Sequence, residues 1–178
     1  QAITLTHANS SFVINEPVAL QGGNTYGSYL VDGLEHLKTV SPFSGLYIDL
    51  GAGAVPVDSL TFIGQIGPNT DFASSSYANL YSNAAGNLLV EVKYTLVGGA
   101  ALSQTSGLST EVRIIRTDAA APSVVRLYEY YDVDLGVDPT NDMASIVGPN
   151  VNVMDPNFIW TETGNASALI DWLNENNY

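Results

Sequence analysis

Residues 87–135 read NLLVEVKYTLV, GGAALSQTSGLS, TEVRIIRT, DAAAPS and VVRLYEYYDVDL. Three runs of β-branched, aromatic and aliphatic residues alternate with breakers rich in Gly, Ser and Pro. Consecutive antiparallel strands read in this way. In the first run Val90, Val92, Tyr94 and Leu96 fall on one face, and Glu91, Lys93 and Thr95 on the other. A period of two with charge between apolar residues predicts a strand with one wet face. The spacing therefore predicts that 88–97, 110–117 and 123–134 are antiparallel neighbours with Val90, Val92 and Leu96 buried.

Working outward, residues 2–20 hold short strand patterns. Ile3 and Leu5 alternate with Thr4 and Thr6, and Phe12-Val13-Ile14 follows a polar break. Pro17 argues for an edge or a turn. In the following segment Tyr29, Leu30, Leu34 and Leu37 have roughly helical spacing, which Gly33 interrupts, so any helix there is short. GLYIDL (45–50) is a strand, and TFIGQI (61–66) is another, with Gly64 marking a bulge or a close approach of backbone. Residues 67–86 are rich in turn formers and read as a long loop or a pair of weak strands. Beyond Leu135, short strands are expected at 143–147, 151–153 and 158–160. Leu169, Ile170, Trp172 and Leu173 give a short amphipathic helix, with Asn165 as its N-cap.

Many short strands with regular turn signals and one terminal helix point to an all-β fold. The expectation is one domain over 1–178, an antiparallel, jelly-roll-like β-sandwich with a short C-terminal helix. A chain of 178 residues can bury such a core without staples, and its lack of cysteine excludes disulfides and thiolate metal sites.

Only 13% of residues are charged, and five cations stand against eighteen acids for a net charge of −13. A field of that sign repels nucleic acid and anionic membranes, so neither is an expected partner. No apolar run reaches the ~18 residues of a membrane span. The chain opens on Gln1 rather than Met. The expectation is an extracellular or cell-surface protein whose leader has been removed.

The strongest grouping for chemistry is acidic. Asp132, Asp134, Asp138, Asn141 and Asp142 supply hard oxygen ligands within eleven residues, the kind of set calcium takes. The spacing is not that of an EF-hand loop, and a solvated acidic turn is the plainer alternative. Tyr26, Tyr29, Tyr77 and Tyr81, read as loop residues, could form a stacking platform for polysaccharide; as strand residues they would be packing. Glu91 and Glu129, placed on adjacent strands, are the one carboxylate pair that glycoside hydrolysis could use. His7 and His36 read as surface or structural histidines. No Gly-x-Ser-x-Gly elbow is present, and no cofactor other than calcium is implied. Asn9 and Asn165 each begin an Asn-x-Ser sequon. The uncharged alternation at Ile3, Thr4, Leu5 and Thr6 is an edge that another copy of the chain could pair with.

The run VVRLYEYYDVDLGVDPTND (124–142), with LLVEVKYTLVGG and STEVRIIRT before it, resembles a pattern in secreted bacterial proteins that carry a PEP-CTERM sorting tail. The resemblance covers roughly residues 87–146. It implies an exported surface or matrix protein and brings no catalytic residues. The Pro-Glu-Pro tail, apolar span and basic end of that group are missing from this sequence.

The functional expectation is a non-enzymatic structural or self-associating β-sandwich, a filament or matrix subunit. A carbohydrate-binding module is second and a glycan-active enzyme third. The acidic run yields a direct test. If it binds calcium, excess chelator should lower the melting temperature, because a ligand held only by the folded state stabilises it. An unchanged melting curve would leave the solvated turn.

Overall fold

The computed structural model describes residues 2–15, 26–37, 44–130, 143–147, 150–154 and 159–163. Fourteen strands follow in chain order: β1 (Ile3–His7), β2 (Ser10–Ile14), β3 (Tyr26–Val31), β4 (Leu34–Glu35), β5 (Gly45–Asp49), β6 (Ala54–Pro56), β7 (Thr61–Thr70), β8 (Ser75–Ser82), β9 (Leu88–Gly98), β10 (Ser106–Arg116), β11 (Arg126–Tyr130), β12 (Met143–Val147), β13 (Asn150–Met154) and β14 (Ile159–Thr163). They form four antiparallel sheets, in the orders β1-β2-β3-β4, β10-β9-β8-β7, β11-β5-β6 and β12-β13-β14. The first two lie against each other, with β1 touching β7, β8 and β9, and β2 touching β9. The arrangement is sandwich-like and nearly all β, as the patterning predicts. The C-terminal helix expected from Asn165 onward lies outside the described residues.

The core follows from the alternation in β9. Leu88, Val90, Val92, Tyr94 and Leu96 are fully buried, whereas Lys93 between them is exposed. The first sheet supplies Leu5, Phe12, Ile14 and Tyr26, and β5 supplies Leu46 and Ile48, to the same cluster. The rings interlock. Phe12 lies 5.3 Å from Tyr26 and 6.2 Å from Tyr94, and Tyr94 meets Tyr26 edge-on at 5.9 Å. Such contacts add to the area term that each buried ring already contributes.

Two local expectations are corrected and one open alternative is decided. The strand at 126–130 does not sit beside β10 but pairs with β5, Arg126 opposite Asp49 and Tyr130 opposite Gly45. The nine residues 117–125 are long enough to carry the chain to another sheet, where a hairpin would use two to five. Strand β5 is buried along most of its length, and β11 and β6 satisfy its two edges. Arg126 also reaches the Asp49 carboxylate at 3.0 Å.

Residues 67–86 take the strand reading of the two alternatives, not the long loop. They complete β7 and form β8, an inner strand whose Ser75, Tyr77, Asn79 and Tyr81 are buried. The turn between the two strands is closed by Asp71, whose Oδ1 accepts from the N–H groups of Ala73 and Ser74. Turn-forming residues in β8 thus act as core residues, because the tyrosine hydroxyls find partners; that of Tyr77 donates to Gln65. The helical spacing at 29–37 is a hairpin instead. Asp32 and Gly33 both take positive φ, 51° and 81°, the turn that Asp-Gly favours between two strands. Gly64 does mark a bulge, where the β7–β8 register shifts.

Replacing Tyr94 by Ala should destabilise the fold by roughly 3–5 kcal/mol, the range for emptying a large buried aromatic site. Lys93→Ala, one residue away on the wet face, should stay within about 0.5 kcal/mol. Chemical denaturation of the two variants checks both, and equal effects would contradict the alternation.

Candidate functional site

Three connections meet at one end of the two large sheets: the Ala8-Asn9 turn between β1 and β2, the Asp32-Gly33 turn between β3 and β4, and residues 99–105 between β9 and β10. Between them lies an open hollow of about 570 Å³, lined by Thr6, Ser11, Leu30, Asp32, Gly33 and Ala101 among others. The segment 99–105 has no strand of its own to hold it. It is held by side chains from the other two turns.

Asp32 does most of this. Its Oδ1 accepts from Leu102 N at 2.7 Å, and its Oδ2 from Gln104 N at 2.8 Å and Asn9 Nδ2 at 2.9 Å. Asn9 Oδ1 accepts from Gly99 N at 2.8 Å and from the Ser10 hydroxyl at 2.8 Å. His7 Nδ1 accepts from Gly98 N at 2.9 Å, which leaves Nε2 as the donor toward Phe72 O at 3.3 Å. The approach is close enough to dictate residue type. A Cβ on Gly98 would stand 2.1 Å from His7 O, and one on Gly99 2.3 Å from Thr105 Oγ1.

Ala8, Leu102 and Gln104 take left-handed backbone with φ of 48°, 63° and 53°. Each such residue costs on the order of 1–2 kcal/mol. The clamp over-determines the segment and holds it there, which is how local strain persists in a native structure.

Electrostatics agree with this geometry. Partial desolvation pushes the Asp32 carboxyl up. The N–H groups of Leu102 and Gln104 and the Asn9 amide together outweigh it and hold the group below the usual carboxylate range. The Gly51 and Gly53 N–H groups, helped by Arg126, hold Asp49 low in the same way. The Asp32 oxygens therefore hold the loop. Among the described residues, nothing lining the hollow pairs with that carboxylate as an acid and a base would.

The structure relocates most of the other expected site residues. Tyr26 and Tyr29 lie on β3, and Tyr77 and Tyr81 on β8. All four are buried, so they present no open stacking face. The hydroxyl of Tyr26 donates to Glu129, and that of Tyr29 to Ser106 Oγ at 2.6 Å. Burial pushes the Tyr29 phenol up, and the Ser106 contact only partly offsets it. Glu91 and Glu129 are not on adjacent strands: Glu91 is on β9 between β8 and β10, and Glu129 faces Leu46 of β5. His36 is buried beside Glu35, whose carboxylate accepts from the Ser28 hydroxyl and from the N–H groups of Tyr29, His36 and Leu37.

Ile3, Thr4, Leu5 and Thr6 lie on β1, paired with β2 of their own sheet, and Leu5 is fully buried. Both polar atoms of the Asn9 side chain are engaged in the clamp, which leaves its sequon committed to structure. Asp132, Asp134, Asp138, Asn141 and Asp142 lie outside the described residues, as does Asn165. Among the described residues, no three His, Asp or Glu side chains gather as a metal site, and no helix is long and apolar enough to cross a membrane.

Sequence reasoning missed the clamp. Asp32-Gly33 and Gly98-Gly99 were its local signals, but nothing in the sequence joins position 32 to position 102. No protein-family model, characterised protein or solved structure matches the chain.

Asp32→Asn keeps the shape of the side chain and its tolerance of left-handed backbone, but sets an NH₂ against one of the incoming N–H groups. The melting temperature at neutral pH should fall. A carboxyl whose folded pKa is depressed stabilises fully above its unfolded value, and loses that contribution as pH falls through the folded value. The gap between wild type and variant should therefore narrow below pH of about 4. A gap that persists into strong acid would show that the charge takes no part.

Proposed function

We propose that this protein is a non-catalytic structural β-sandwich of the extracellular or cell-surface space that associates with copies of itself through open sheet edges. The observation that carries the reading is β7. It forms one edge of the β10-β9-β8-β7 sheet, and its sequence TFIGQIGPNT holds no charged residue. Phe62, Ile63 and Ile66 on it are 40%, 54% and 65% exposed. Soluble proteins guard sheet edges with charge, proline, bulges or cover. Here the bulges and Pro68 interrupt pairing in part, but the apolar side chains stand in the open.

Further support comes from the sparse charge of the whole chain and from the use of Asp32 and Glu35 as backbone anchors. The resemblance of residues 87–146 to exported surface and matrix proteins agrees with the same reading. The carbohydrate-binding alternative relied on Tyr26, Tyr29, Tyr77 and Tyr81, and their burial removes that support.

Sedimentation of the purified protein over a range of concentrations tests the reading. Wild type should form species larger than the monomer. Ile66→Lys, which places a charge on the β7 edge, should shift the distribution toward smaller species while the melting temperature holds. A wild-type chain that stays monomeric at high concentration would overturn it.

A further inference from the structure

We propose that two copies of this chain pair through β10, antiparallel about a two-fold axis at Val112. This rests on the self-association reading and names its interface. Strand β10 is the other edge of the β10-β9-β8-β7 sheet, and it pairs with β9 over eleven residues with no register shift. Among the described residues no strand covers its outer side. Unlike β7, it can offer an unbroken row of backbone donors and acceptors.

The charges choose the partner and the register. Three of the five cations, Lys93, Arg113 and Arg116, lie on β9 and β10 with only Glu91 and Glu111, so this edge is slightly positive in a chain of net charge −13. In the β9–β10 register Glu111 stands opposite Lys93, and Arg113 opposite Glu91. Glu111 and Arg113 are exposed on the wet face. A second β10 centred on Val112 sets Glu111 of each copy against Arg113 of the other. Each row then reads Lys93, Glu111, Arg113, Glu91 across four strands, alternating in sign throughout.

Direct cross-strand pairs bring Cβ atoms to about 4.5–5.5 Å, where opposite charges stabilise and like charges oppose. Shifting the axis by one residue either way sets Glu111 against Glu111, or Arg113 against Arg113. Of these three registers only the one centred on Val112 is free of such clashes, and it sets both Glu111–Arg113 pairs opposite each other. On the other face Val112 meets Val112, and Thr110 meets Ile114, which continues the half-buried side of β10 across the axis. The contact is self-complementary, as a two-fold interface must be.

Charge-swapped variants test this, with Ile66→Lys in every chain to silence the β7 edge. The parent should dimerise. Glu111→Arg and Arg113→Glu should each raise the dimer dissociation constant by about tenfold or more, since each alone puts like charges opposite one another. Mixing the two should restore a one-to-one dimer, because every pair that faces across the interface is then opposite in sign.

Melting curves confirm that each variant is folded. If either is not, the cysteine-free chain allows a second measurement. Val112→Cys should link to itself on mild oxidation, whereas Ser109→Cys should not, its counterpart lying six residues or about 20 Å along the ladder. A parent that is monomeric while wild type associates, single variants that dimerise like the parent, or a mixture that fails to recover would each overturn the β10 interface and leave self-association standing. A wild type that never associates would remove both.

Discussion

The packing of Tyr94 against Phe12 and Tyr26 is the contact on which the rest of the molecule depends. It joins β9, the second strand of one sheet, to β2 and β3 of the other, and it sits in the cluster that β5 also enters. A ring of that size fills its site only if both sheets are at the right distance. Every alternate residue of β9 then has a fixed place, and a slip of one residue would expose the whole apolar set. The hydroxyl groups that tyrosines carry into the core are matched at its boundary, as Tyr26 with Glu129 and Tyr29 with Ser106 show.

Once the sheets are in place, their ends must be tied. The connection 99–105 is uncharged, strained and without a strand partner. His7, Asn9 and Asp32 hold it by accepting from its backbone and from the end of β9. These bonds run between residues about seventy to ninety positions apart. They also explain why Gly98 and Gly99 interrupt an otherwise strand-like run: no side chain fits where the hairpin turn touches β9. His7 and the Asn9 sequon are in this way taken up by architecture.

The sheet edges differ in what guards them. Strand β1 ends in the clamp, with His7 bonded to Gly98. Strand β7 is bulged and uncharged. Strand β10 is paired without a bulge and carries Glu111 and Arg113, of opposite sign, on its wet face. In an acidic chain, copies repel at a distance, so a contact has to be made where the local charge is balanced. The β9–β10 face meets that condition, and its charges are opposite in sign on the two sides of Val112.

The sequence alone determined the class of the fold. The period of two in β9, the breakers between runs and the lack of cysteine were enough, since burial of one strand face is a local property of the pattern. The bulge at Gly64 and the burial of Val90, Val92 and Leu96 were legible for the same reason. Only the tertiary structure decided which strands are neighbours. Residues 126–130 look like a third strand beside β10, yet they complete β5, because pairing depends on which edge is open and not on proximity in the chain. It also decided the fate of Tyr26, Tyr29, Tyr77 and Tyr81: rings among turn-forming residues read as loop aromatics until the strands are assembled around them. The clamp was invisible in advance for the same cause, since an aspartate before a glycine predicts a turn but not the distant backbone amides that the turn will bind.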